Sequence, residues 1–103
     1  MTTNNRAECS EVWVTVGEMS MCALINGERG WLMFLRHPGD PGFSSRNPDY
    51  DGPADAVIEY RLDNGQGDEY PASWAYPVAI VRHALDYFRR NNKRPPFITW
   101  DAD

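Results

Sequence analysis

Cysteine and histidine are scarce in this chain, with two of each among 103 residues. Cys9 and Cys22 belong to no CxxC pair, so reduced thiols are expected in place of a disulfide framework. His37 and His83 are isolated. Structural zinc needs four converging ligands, and no such spacing is present, so neither a metal nor any other cofactor is expected. No run approaches the roughly 18 apolar residues of a membrane-spanning helix. The opening stretch, MTTNNRAECS, has neither the basic nor the apolar segment of a secretory leader, and the expected location is the cytoplasm. Basic charge is also low, with 10 Lys and Arg against 15 Asp and Glu for a net charge of −5. Phosphate contacts supply most of the affinity of a nucleic-acid binder, so this balance argues against DNA or RNA as a direct ligand. The chain has no GxSxG nucleophile elbow, no P-loop and no HxE with PCxxC, which removes the best-marked hydrolase, nucleotide-binding and zinc-deaminase classes.

What is present is an ordinary globular composition. Hydrophobic residues make up 42% and aromatics 13%, enough to build a core. The length is that of one domain. Residues 1–10 are polar and expected to be disordered, leaving residues 11–103 as a single domain. Glu11–Val16 alternates polar and β-branched residues, as a strand does. Cys22–Ile25 and Trp31–Leu35 flank Asn26-Gly27, which reads as a hairpin. The run Trp31–Leu35 is apolar at every position, as in a strand buried on both faces or lying near an interface. His37–Gly42 is loop, Gly42–Arg46 a short strand, and Asn47–Asp55 an acidic loop. Ala56–Leu62 reads as a strand, followed by a turn at Asn64-Gly65 and a returning strand at Asp68–Tyr70. One helix is predicted, from about Pro77 to Asn91. Val78, Val81, Leu85 and Phe88 form its apolar stripe with Ala84 beside them, Asn91-Asn92 supply a left-handed cap, and Pro95-Pro96 prevent continuation. Phe97–Trp100 is the final strand. The expected class is α+β: a mostly antiparallel sheet with one C-terminal amphipathic helix followed by a last strand.

Charge is uneven along the chain. Residues 49–69 hold seven acids (Asp49, Asp51, Asp55, Glu59, Asp63, Asp68 and Glu69) against Arg61, whereas residues 82–94 hold five bases against Asp86. Tyr50, Tyr70, Trp74 and Tyr76 are interleaved with or follow the acids. Aromatics anchor protein interfaces and charges steer encounters, so this stretch fits protein recognition. Two other readings stay open on the residues alone. One is a small enzyme or ligand-binding domain using the Gly39–Ser45 loop, in which Ser44 or Ser45 would need a histidine base. The other is an adaptor that self-associates through Trp31–Leu35. The expected oligomeric state is monomer or weak dimer.

Three runs carry a more specific signal: Asn26–Gly52, Glu59–Trp74 and Tyr76–Trp100. The last places Leu85, Phe88, Pro95 and Trp100 as a helix ending in an aromatic, a polar loop, a proline and a strand with a tryptophan. The middle run carries Asn64, Gly65, Gln66, Asp68, Glu69, Tyr70 and Pro71. Over roughly residues 11–101 the chain resembles the first-named immunity-protein family of bacterial polymorphic toxin systems, in its actinobacterial branch. Relatives in that family often stand beside toxins of the nucleic-acid deaminase superfamily. The resemblance implies a non-catalytic cytoplasmic antidote that binds a toxin domain made by the same cell or its kin. An acidic partner can fill the cationic groove such a toxin needs for its substrate. Together with the acidic segment, the resemblance points to Asp49, Tyr50, Asp51, Asp55, Asp68, Glu69 and Trp74 as toxin contacts.

Overall fold

Gly17 and Gly27 each stand at the first corner of a two-residue turn, with φ of 61° and 62°. Glycine there, followed by Glu, suits the sharp reversal that joins two twisted antiparallel strands. These twin Gly-Glu turns fold the first part of the chain into a meander of β1 (Cys9–Val16), β2 (Met19–Asn26) and β3 (Arg29–Leu35). The structure, a computed structural model, describes residues 9–102. The expected disordered stretch falls mainly on residues 1–8, outside the described residues, while Cys9 and Ser10 open β1. The hairpin expected around Asn26-Gly27 is present with a shift. Asn26 pairs with Arg29 inside the ladder, so Gly27 and Glu28 make the turn. The β1–β2 hairpin had no counterpart in the sequence reading, because Gly17-Glu18 is a weaker turn signal than Asn-Gly.

The meander grows into a larger antiparallel sheet. β4 (Phe43–Arg46) joins β3, β8 (Thr99–Ala102) joins β4, and the two-residue β7 (Tyr76–Pro77) pairs with the start of β3. The strand order is β1-β2-β3-β4-β8. Helix α1 (Val78–Asn91) lies across one face and buries Val81, Ala84, Leu85 and Phe88. The expected stripe and cap are both observed. Asn92 adopts φ 57°, and its N–H donates to the Phe88 carbonyl at 2.9 Å. The helix start is tied to the β2–β3 turn by Val78 N–H donating to the Glu28 carbonyl at 2.8 Å. Gly30 is the point of closest approach, since a Cβ there would meet Val81 Cγ2 at 3.0 Å. The α+β class is therefore the observed one.

Two expectations need correction. The last strand runs over Thr99–Ala102, not 97–100. Phe97 stacks on His83 of the helix at 4.5 Å between ring centroids and meets Tyr87 edge-on, which keeps it out of the sheet. Trp100 Nε1 donates to the Pro95 carbonyl and closes that loop. The predicted strands of the acidic region do form, as β5 (Val57–Arg61) and β6 (Gly67–Pro71), but they make a separate two-stranded sheet. That hairpin covers the sheet face opposite the helix.

Two-sided coverage explains the unbroken apolar runs. On β2, Met21, Ala23 and Ile25 pack toward the helix while Cys22 and Leu24 pack toward the hairpin. On β3, Leu32 and Phe34 take the first side and Trp31 the second. A strand buried on both faces has no polar positions to alternate with. Phe88 meets Phe34 edge-on at 5.8 Å in the helix-side core. Trp31 stacks flat on Tyr70 at 4.4 Å in the hairpin-side core.

The loop before β4 is organised by one carboxylate. Asp40, its side chain fully covered, receives Arg36 Nε and Nη at 2.9 Å each and the Arg36 backbone N–H at 2.8 Å. The Arg36 guanidinium and N–H hold the Asp40 carboxyl well below the usual carboxylate range. A depressed folded value means that the ionised form stabilises the fold, so this contribution is complete above the unfolded carboxylate value of about 3.9. It fades as pH falls toward the folded value. Asp40→Asn is therefore expected to lower the urea midpoint at pH 7, and the gap to the wild type should close as the pH is taken from 5 toward 2. A gap independent of pH would show that the carboxylate charge is not what matters.

Candidate functional site

The acidic segment is divided by the fold into a loop and a hairpin. Residues 47–56 form the loop between β4 and β5. Asn47 closes it, since its N–H and Nδ2 donate to the Ser73 and Ala75 carbonyls at 3.0 and 2.9 Å and its Oδ1 accepts from Asp49 N–H. Asp49, Tyr50 and Asp51 are brought together, lining a concavity of about 220 Å³ with Arg29 and Ile80. The Arg29 guanidinium lies 5.9 Å from the Tyr50 ring centroid, so one cation sits among these acids. Tyr50 hydroxyl donates to the Pro53 carbonyl at 2.8 Å and makes the loop compact. Asp55 is exposed where the loop enters β5.

The other predicted contacts belong to the hairpin layer. Strand alternation turns Ile58, Tyr60 and Tyr70 inward and Val57, Glu59 and Glu69 outward. Glu59 and Glu69 are register partners and both are exposed. Like charges placed directly across a strand pair repel. Asp68 is half-buried and accepts from Gln66 Nε2 at 3.3 Å and the Tyr70 hydroxyl at 3.4 Å. Trp74 lies in a single 3-10 turn, Ala72–Trp74, after β6. It is half-buried, packs near Tyr70, and carries the Arg46 guanidinium 3.6 Å from its ring centroid. That cation already occupies much of the aromatic surface the sequence reading gave to a partner.

Beneath the hairpin, Tyr60 is only 1% exposed, and burial pushes its phenol well above the ordinary range. Its hydroxyl and Trp31 Nε1 have no hydrogen-bond partner among the described residues. Apolar packing holds this layer, with two polar clamps at its rim. Asn26 Nδ2 donates to the Glu59 carbonyl at 2.8 Å, and Asp63 N–H donates to Glu11 Oε1 at 3.0 Å. At the tip, Gly65 takes φ 90° in a tight loop closed by Leu62 N–H donating to the Gln66 carbonyl, in accord with the expected Asn64-Gly65 turn.

The alternative centre, the Gly39–Ser45 loop, is built as a joint. Ser45 is fully buried; its hydroxyl donates to the Trp74 carbonyl at 2.8 Å and accepts Leu32 N–H at 3.1 Å. Ser44 accepts from Arg46 at 2.9 Å, and Asp40 is consumed by Arg36. His37 turns its ring to the Pro38 carbonyl and His83 stacks on Phe97. Among the described residues no cluster of His, Cys, Asp and Glu could hold a metal ion, and no helix is long and apolar enough to cross a membrane.

Arg29, Glu59 and Trp13 are not among the toxin contacts expected from the sequence. Glu59 had a signal, being one of the seven acids, but only the register shows its partner. No curated protein matches this chain. The family model described as Immunity protein Imm1 matches residues 3–102. That match spans nearly the whole chain, and the protein therefore belongs to the Imm1 family of immunity proteins.

Proposed function

We propose that this immunity protein neutralises its toxin in the cytoplasm by seating the acidic hairpin and loop in the toxin's cationic substrate groove. The toxin on this reading acts on nucleic acid, and the resemblance to relatives found beside deaminase toxins favours that class. Asp49, Asp51, Asp55, Asp68 and Glu69 pair with toxin Arg or Lys, and Tyr50 and Trp74 add aromatic area at the margin. The observation that carries the reading is the exposed Glu59–Glu69 register pair. Two carboxylates held face to face gain most from a cation placed between them, and a groove built for phosphates presents such cations.

Cells expressing the toxin domain encoded beside this protein should survive only when the protein is co-expressed. In vitro, the protein and a single-stranded oligonucleotide should compete for a catalytically inactive form of that toxin. Simultaneous binding of both would overturn groove occupation while leaving the family assignment intact.

A further inference from the structure

Trp13 is the large aromatic that the fold leaves most open, with 49% of its surface exposed on β1. It faces the hairpin side of the sheet but lies beyond the hairpin's cover. A surface tryptophan by itself needs no explanation. This one is held in place. Its Nε1 donates to Glu11 Oε2 at 2.7 Å, and the other oxygen of the same carboxylate accepts the Asp63 N–H. One side chain thus orients the indole and clamps the hairpin tip. The two N–H donors, Asp63 first and Trp13 second, hold the Glu11 carboxyl below its ordinary range, so it is ionised at neutral pH.

The surroundings are negative. Cys22, the register partner of Trp13, has its thiol pushed up to about 12, first by burial and then by the charges of Glu11 and Asp63. Arg61, the one base of the β5–β6 hairpin, is turned to the Gly65 carbonyl. A rigid indole loses little entropy on binding, and its face attracts a guanidinium or ammonium more strongly than any other side-chain ring does. We infer that Trp13, presented by Glu11 and flanked by Asp63, is an interface anchor that receives an Arg or Lys side chain of the toxin on its indole face. The inference rests on the toxin-binding reading and adds a contact outside the acidic loop and β6.

The experiment measures binding kinetics of the wild type, Trp13→Ala and Trp13→Phe against the catalytically inactive toxin domain encoded beside this protein, with urea melts of each variant. Trp13→Ala should raise the dissociation rate about thirtyfold, the size of a typical anchor, with the association rate and its salt dependence nearly unchanged. Trp13→Phe retains a π face and should recover part of that loss. A Trp13→Ala variant that melts like the wild type and binds within twofold of it overturns the anchor, while the groove reading stands on the wild-type binding. Wild-type protein that does not bind the toxin at all overturns both. A wild-type dimer that Trp13→Ala splits, with toxin binding unaffected, assigns the indole to a second copy of this chain and also overturns the inference.

Discussion

Reversing Asp51 and Glu69 together to lysine is expected to slow association with the toxin about a hundredfold at low ionic strength, within the range that electrostatic steering spans. One substitution falls in the loop and the other on the outer face of the hairpin, so the pair changes both parts of the acidic segment. Asp68 is a poorer choice than Glu69, because it accepts the Tyr70 hydroxyl and its loss would disturb the aromatic layer. Glu69→Lys also places a lysine opposite Glu59. That turns a repulsive cross-strand pair into an attractive one, worth roughly 0.2–1 kcal/mol in favour of the fold. Weakened binding would then not come from unfolding. The effect should shrink as salt is raised, since the screening length falls from about 30 Å at 0.01 M to about 10 Å at 0.1 M. Stopped-flow association at several salt concentrations reads both quantities. An unchanged association rate at the lowest salt would show that these acids do not face the toxin.

Phe88→Ala should be the most damaging single change to the fold, costing about 3–5 kcal/mol. Phe88 has no exposed surface, meets Phe34 edge-on, and offers its carbonyl to the Asn92 N–H that ends the helix. The helix is the main cover of that sheet face, joined by Ile98 from the segment after it, so the cavity cannot readily be filled without moving α1. A small domain has about 5–15 kcal/mol in total, so the variant should stand near its folding threshold. Urea melts would show the midpoint falling sharply at constant slope. A loss below about 1 kcal/mol would mean that the helix and sheet close over the space, and that Phe88 is not the keystone of this interface. Protection of cells should fall with the folded fraction, a loss distinct from the salt-dependent defect of the charge reversals.

The features legible in advance share one property: each is encoded by neighbours in the chain. The α1 stripe repeats every three or four residues, and Asn92 and the paired prolines mark its end, so the helix could be placed closely. The turn at Asn64-Gly65 is a local preference of two residues. Features that were displaced or passed over are settled by distant partners. Asn26 looked like a turn residue, yet its amide reaches the Glu59 carbonyl, 33 positions away. Phe97 looked like a strand residue, yet His83 and Tyr87 of the helix hold it. Trp74 looked available to a partner, yet Arg46 lies over its ring.

By itself the chain determined its class, its C-terminal helix, the apolar runs flanking Asn26-Gly27 and the concentration of acid in residues 49–69, because periodicity, composition and family-like runs are one-dimensional properties. Only the tertiary structure decided that β5 and β6 leave the main sheet to cover its second face, that Glu59 stands opposite Glu69, and that Glu11 holds Trp13 upright at the edge of that layer. Burial, register and hydrogen-bond pairing are relations between residues far apart in the chain, and they come into being only when the layers pack.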